Sequence, residues 1–110
     1  MTGKQEPTMI VNIRTYTLVP RMMPKYIKLF EELGLPAMKR HGLDLMGYYT
    51  SVVGPQNQLV HLWRYDSMAD MEAKRGARNE DADWLKFQAE TEGLVLMQED
   101  KIMKPTAFSP

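Results

Sequence analysis

Residues 57–67 (NQLVHLWRYDS) alternate along the chain, and this constrains the fold more than any other stretch. In an extended strand successive side chains point to opposite faces. Val60 and Leu62 therefore share one face, and His61, Trp63 and Tyr65 share the other. An imidazole, an indole and a phenol in a row are costly on a solvent-facing strand. The segment reads as part of a sheet with two buried faces, one of them equipped for chemistry.

The flanking segments supply the remaining elements. Residues 10–18 alternate and are rich in β-formers, with Val11 and Ile13 assigned to the core face and Asn12, Arg14 and Tyr16 to the other. Pro20 ends that strand, and Pro24 suits the first turn of a helix. From Met23 the period changes: Tyr26, Ile27, Phe30, Leu33 and Ala37 fall on one helical stripe. Gly34 and Pro36 interrupt it, which predicts a kink or short break, a last turn reaching His41 and a left-handed stop at Gly42. Residues 43–53 form a second strand, joined by the turn cluster Gly54-Pro55-Gln56-Asn57 as a hairpin to the His61 strand. Asp66 or Ser67 caps the next helix, with Asp70 as an acidic variant of the capping box. Residues 76–83 divide this helix from a shorter one carrying Trp84 and Phe87. Gly93 ends that one, and residues 94–102 form the last strand.

The order β-α-β-β-α-β predicts an α+β, ferredoxin-like fold: one four-stranded antiparallel sheet with the helices on one face. The face assigned to Arg14, Tyr16, His61, Trp63 and Tyr65 is then left uncovered, and the sheet of an identical subunit is its natural cover.

At 110 residues the chain is one domain. We expect the fold over residues 9–105, a disordered tail over 1–8 and a C-terminal tail over 106–110. Fourteen Lys and Arg balance fourteen Asp and Glu, so no basic excess attracts nucleic acid or an anionic membrane. With no Cys, disulfides, thiolate metal sites and cysteine nucleophiles are excluded. No apolar run approaches the roughly 18 residues of a membrane span. The first eight residues hold no apolar core of a signal peptide, and a cytoplasmic location is expected. Two His without His-x-His or Glu-x-x-His spacing make no metal site, and no glycine-rich phosphate loop follows a strand.

The expected pocket walls are Arg14, Tyr16, Tyr49, His61, Trp63 and Tyr65. His61 is the candidate general base, hydrogen-bond partner or axial ligand; its structural alternative is a neutral buried histidine bonded to Tyr16 or Tyr65. Arg14 is the candidate anchor for a carboxylate or enolate oxygen, and its alternative is an ion pair with Glu99 or Asp100. Tyr16, Tyr49, Trp63 and Tyr65 would bind and stack on the substrate. Lys39 and Arg40 read as cations at a helix C-terminus, with His41 able to rim the pocket. Lys74, Arg75 and Arg78 read as a solvated helix face, and Trp84 and Phe87 as core or dimer contacts.

Four segments together resemble the NIPSNAP family: Arg14-Thr15-Tyr16-Thr17-Leu18, the stretch FEELGLPAMKRHG (30–42), Gly47-Tyr48, and Gly54-Pro55-x-Asn57-Gln58-x-Val60-His61-Leu62-Trp63-Arg64-Tyr65-Asp66-Ser67. The resemblance runs from about residue 10 to 105. It implies a dimeric α+β barrel, in which two ferredoxin-like sheets face each other across a two-fold axis, and it brings no established reaction. The expected function is a homodimer, able to pair again through its helices, that binds a small aromatic or enolisable molecule. Cofactor-free oxygenase, isomerase or lyase chemistry would suit such a site. One alternative is a non-catalytic interaction module with a filled interior. Another is haem binding, which needs only one axial histidine, His61 or His41; otherwise no cofactor is expected.

Overall fold

A computed structural model describes residues 9–110. The expected tail over 1–8 lies outside the described residues. Strand β1 (Ile10–Leu18) is followed by helix α1 (Met23–Leu29), a π-helical stretch (Phe30–Gly34) and α2 (Leu35–Arg40). Strands β2 (Asp44–Thr50) and β3 (Gln58–Tyr65) form the hairpin, and α3 (Met68–Arg78), α4 (Ala82–Glu90) and β4 (Val95–Met103) complete the chain. The sheet order is β2-β3-β1-β4 with every pairing antiparallel, which is the ferredoxin-like topology expected.

Local chemistry explains the breaks between elements. The predicted interruption in the first helix is a π-bulge, in which the Leu35 N–H bonds Phe30 O, five residues back. Pro36 has no N–H to give, and its ring would crowd a carbonyl one turn earlier. Widening the turn ahead of it lets the helix continue. Gly42 adopts φ +75° and stops α2. Ser67 Oγ accepts from Asp70 N–H at 3.0 Å, while Asp70 Oδ2 accepts from Asp66 N–H at 2.9 Å, closing the acidic capping box one residue earlier than the usual form.

One expectation is overturned, and it reverses the sheet. The face bearing Tyr16, His61, Trp63 and Tyr65 lies under the helices, each of these residues being buried. Phe30 meets Trp63 edge-on at 6.4 Å, and Tyr26 and Phe30 both contact Phe87. Val11 and Ile13, assigned to the core, are only half-buried and share the uncovered face with Val60 and Leu62. The physical reason is that both faces of this sheet are apolar, so alternation alone does not say which one the helices take. The helical stripes are aromatic, and aromatic rings pack edge-on against one another, drawing the aromatic face of the sheet beneath them.

Candidate functional site

The strand register sets out the floor of the site. One row crosses all four strands as Tyr48, His61, Arg14 and Asp100. Above it, between sheet and helices, is a cavity of about 350 Å³. Arg14, Tyr16 and His61 line it from the sheet; Phe30, Arg78, Trp84 and Phe87 line it from the helices. Gln88 and Gln98 add neutral amides, and no Asp or Glu lines the cavity among the described residues.

His61 is 3% exposed and held on three sides. Tyr48 stacks on it at 4.7 Å, and Tyr16 meets it edge-on at 4.8 Å. Trp63 Nε1 donates to His61 Nδ1 at 2.6 Å. An indole N–H only donates, so Nδ1 must carry a lone pair, and the proton of the neutral ring sits on Nε2. That Nε2 is buried without a protein partner. Burial first, then the charges of Arg14 and Arg75, push the His61 pKa from 6.5 down to about 3. The ring is therefore neutral at physiological pH and offers one N–H donor. The roles of general base and axial haem ligand both need the opposite tautomer, with a lone pair on Nε2, and the Trp63 bond opposes it.

Arg14 stands next to His61 on the adjacent strand, its guanidinium carbon 5.4 Å from the Tyr16 ring centroid. Its Nε is buried without a partner. The expected ion pair with Glu99 or Asp100 does not form. Asp100 instead bonds Asn12 and lies 3.8 Å from Arg75, while Glu99 pairs with Lys101 at 3.3 Å. Asn12, fully buried, also accepts from Arg75. Burial raises the Tyr16 pKa above its ordinary value, so its phenol keeps its proton.

Arg78 is the main residue that the sequence reading misplaced. It is 7% exposed, not solvated. Its guanidinium lies 4.2 Å from the Trp84 ring centroid and donates to Asn79 Oδ1 at 2.9 Å and to Met38 Sδ at 3.7 Å. No carboxylate neutralises it among the described residues. Burial, then repulsion from Arg75, lowers its pKa to about 10, which leaves it charged at neutral pH. The usable signal was spacing: Met71, Arg75 and Arg78 stand at i, i+4 and i+7 on α3, and Met71 is plainly apolar. Trp84 and Phe87 belong to the buried core, as expected, and are cavity walls as well.

The other expected site residues lie elsewhere. Tyr49 is 60% exposed on the opposite face of the sheet, its ring over Gly47, and is no part of the cavity. Trp63 and Tyr65 are buried beneath the helices without lining it; Trp63 acts on the site through His61, and Tyr65 faces Arg75 at 5.9 Å. His41 does not rim the cavity. Its Nε2 lies 2.9 Å from Asp81, which also accepts from Arg40 at 2.8 Å and caps α4 through Asp83 N–H. That cluster ties the end of α2 to the start of α4. No group of His and carboxylates among the described residues is arranged to hold a metal ion, and no described helix is long and apolar enough to cross a membrane.

The same fold recurs in known proteins. A NIPSNAP-family protein of unknown function from Agrobacterium tumefaciens is 38% identical over 96% of each chain and superimposes with a TM-score of 0.89. The human protein NipSnap homolog 2 is 25% identical over 98% of this chain, which spans 39% of that protein's length. A Nitrosomonas europaea protein named as a prospective antibiotic biosynthesis monooxygenase, 12% identical, covers 97% of this chain with a TM-score of 0.71 and shows the shared fold alone. The NIPSNAP family profile matches residues 11–110, taking in every strand and helix that builds the cavity. On that match and on the bacterial relative, the chain belongs to the NIPSNAP family.

Proposed function

We propose that the chain binds a small, flat organic anion in the cavity between sheet and helices and works as a homodimer. The observation that carries this reading is the set of donors with nothing to donate to. Arg14 Nε and His61 Nε2 are buried and unpartnered, and both residues line one cavity that no acid lines among the described residues. Unsatisfied buried donors are costly, and an oxyanion would satisfy both at once. Tyr16, Phe30, Trp84 and Phe87 give the apolar walls that suit an aromatic ring or a conjugated enolate.

Chemistry in such a site takes the form of oxyanion stabilisation. A neutral histidine N–H beside a guanidinium holds a developing enolate or phenolate oxygen, as an electrophile and not as a base. With no carboxylate among the described lining residues, the substrates that fit are those that arrive already ionised or readily ionisable. An oxygenation or isomerisation of such a compound is compatible with the site, and so is binding without turnover. The cavity weighs against an interaction module with a filled interior.

The test is a titration with benzoate, a monoanionic aromatic probe. Both tryptophans of the chain touch the site, Trp84 as wall and Trp63 through His61, so intrinsic fluorescence reports on it. We expect a saturable change, with a Kd raised at least about tenfold in Arg14→Met, in line with the loss of one charged hydrogen bond. No saturable change, together with no heat by calorimetry, would discard the reading.

A further inference from the structure

We infer that the ligand is a dianion with an oxygen-bearing group at each end, one held on the sheet by Arg14 and His61, the other under α3 and α4 by Arg78 and Trp84. This rests on the proposed anion-binding role and specifies the ligand further. The lining residues that carry an unpartnered donor fall on two walls, the sheet and the helices. Arg14 Nε and His61 Nε2 belong to adjacent strands of the floor. Trp84 Nε1, also buried and unpartnered, belongs to α4, and Arg78 lies against its ring. A single carboxylate has two oxygens and binds one guanidinium face. It satisfies one wall and leaves the other unmet.

The charge count agrees. Arg14 lines the cavity from the floor and Arg78 from the roof, and Asp100 lies 3.8 Å from Arg75, which is not a lining residue. Two positive charges remain without a protein counter-ion among the described residues. The hydrogen bonds of Arg78 go to an amide oxygen and a thioether, which satisfy geometry but carry no charge. Burying such a cation without compensation is unfavourable, and its pairing with a ligand is the state in which the site is electrostatically complete. The cavity volume, about 350 Å³, is at the small end for organic ligands, which suits one ring and not a polycycle.

Calorimetric titrations of phthalate, isophthalate and terephthalate against benzoate, at matched ionic strength, test this. At least one dicarboxylate is expected to bind tenfold or more tightly than benzoate. In Arg78→Met the ratio of dicarboxylate to benzoate affinity should fall to within about twofold of one, and in Trp84→Phe it should fall part of the way. If benzoate binds and no dicarboxylate binds more tightly, the site takes a monoanion; the dianion inference fails and the anion-binding role stands. If neither class binds, both fall. A dicarboxylate preference that survives both Arg78→Met and Trp84→Phe, with each variant folded by circular dichroism, would overturn the assignment of the second anchor.

Discussion

At the scale of single residues, the bond from Trp63 to His61 decides what the site can do. It fixes the tautomer, and burial fixes the charge. Both have a consequence for stability. The His61 pKa is about 3 in the folded state against 6.5 for an ordinary histidine. Between those values the unfolded chain binds a proton that the folded chain refuses, so this contribution is full above about pH 6.5 and is lost as pH falls toward 3. Lowering pH from 7 to 5 should therefore cost about 2 kcal/mol through this residue. Urea unfolding of wild type and His61→Gln at both pH values isolates the effect, because the carboxylates contribute equally to each protein. An equal pH dependence in the two would show that His61 is not held neutral. Arg78 yields a second prediction. Exchange for Met removes an uncompensated buried charge but also the contact with Trp84, worth roughly 0.5–2 kcal/mol. The variant is expected to melt no lower than wild type; a clear fall would mean that the cation is compensated by some other group. Arg14 and His61 were legible as residues of interest because alternation put each beside aromatic neighbours. Their hydrogen-bond states were not legible, since those depend on Trp63 and Asp100 taking partners that no spacing rule specifies.

At the scale of elements, the sequence pattern located every strand and helix, because each is bounded by a residue with a specific backbone preference. Gly42 and Gly93 take positive φ at helix ends, and Gly54 and Asn57 do so in the hairpin loop. The same pattern misassigned the faces of the sheet, since periodicity reports alternation and not which side the helices occupy. The π-bulge shows how closely element and site are joined. A Cβ at Gly34 would lie 2.7 Å from the Phe30 ring. Phe30 is packed against Tyr48, Trp63 and Phe87, which hinder its retreat on those sides. Helix propensity alone favours Ala over Gly by about 1 kcal/mol. Overpacking at a buried ring costs about 1–3 kcal/mol, and here it should dominate. Gly34→Ala is therefore expected to lower stability in urea unfolding. A stabilised variant would mean that the Phe30 ring has room to retreat into the cavity, so the same experiment measures the rigidity of that wall.

At the scale of the whole molecule, the proposed dimer follows from the face that the helices leave bare. Val11 and Ile13 of β1 lie beside Val60 and Leu62 of β3 along the middle of the sheet, and all four are half-buried in the single chain. The charges on this face are Glu99 and Lys101 on the edge strand β4, Asp44 on the edge strand β2, and Arg64 opposite Asp44 near the end of β3. An apolar centre with a charged rim is the composition of a protein interface, and a sheet of this size is rarely left with one apolar face in water. A second copy offers the same centre and the same rim. Light scattering at micromolar concentration should then give about twice the chain mass of 12.7 kDa. Leu62→Lys places a charge at the centre of the face, where a lone chain can hydrate it but a sheet-to-sheet contact cannot. It should reduce the mass to one chain and leave the far-ultraviolet circular dichroism unchanged. Because the cavity lies on the opposite side of the sheet, benzoate titration of this variant separates two arrangements. Unchanged affinity would mean that each subunit carries a self-sufficient site. Lost affinity in a folded monomer would mean that the sheet needs its partner to hold Arg14 and His61 in register.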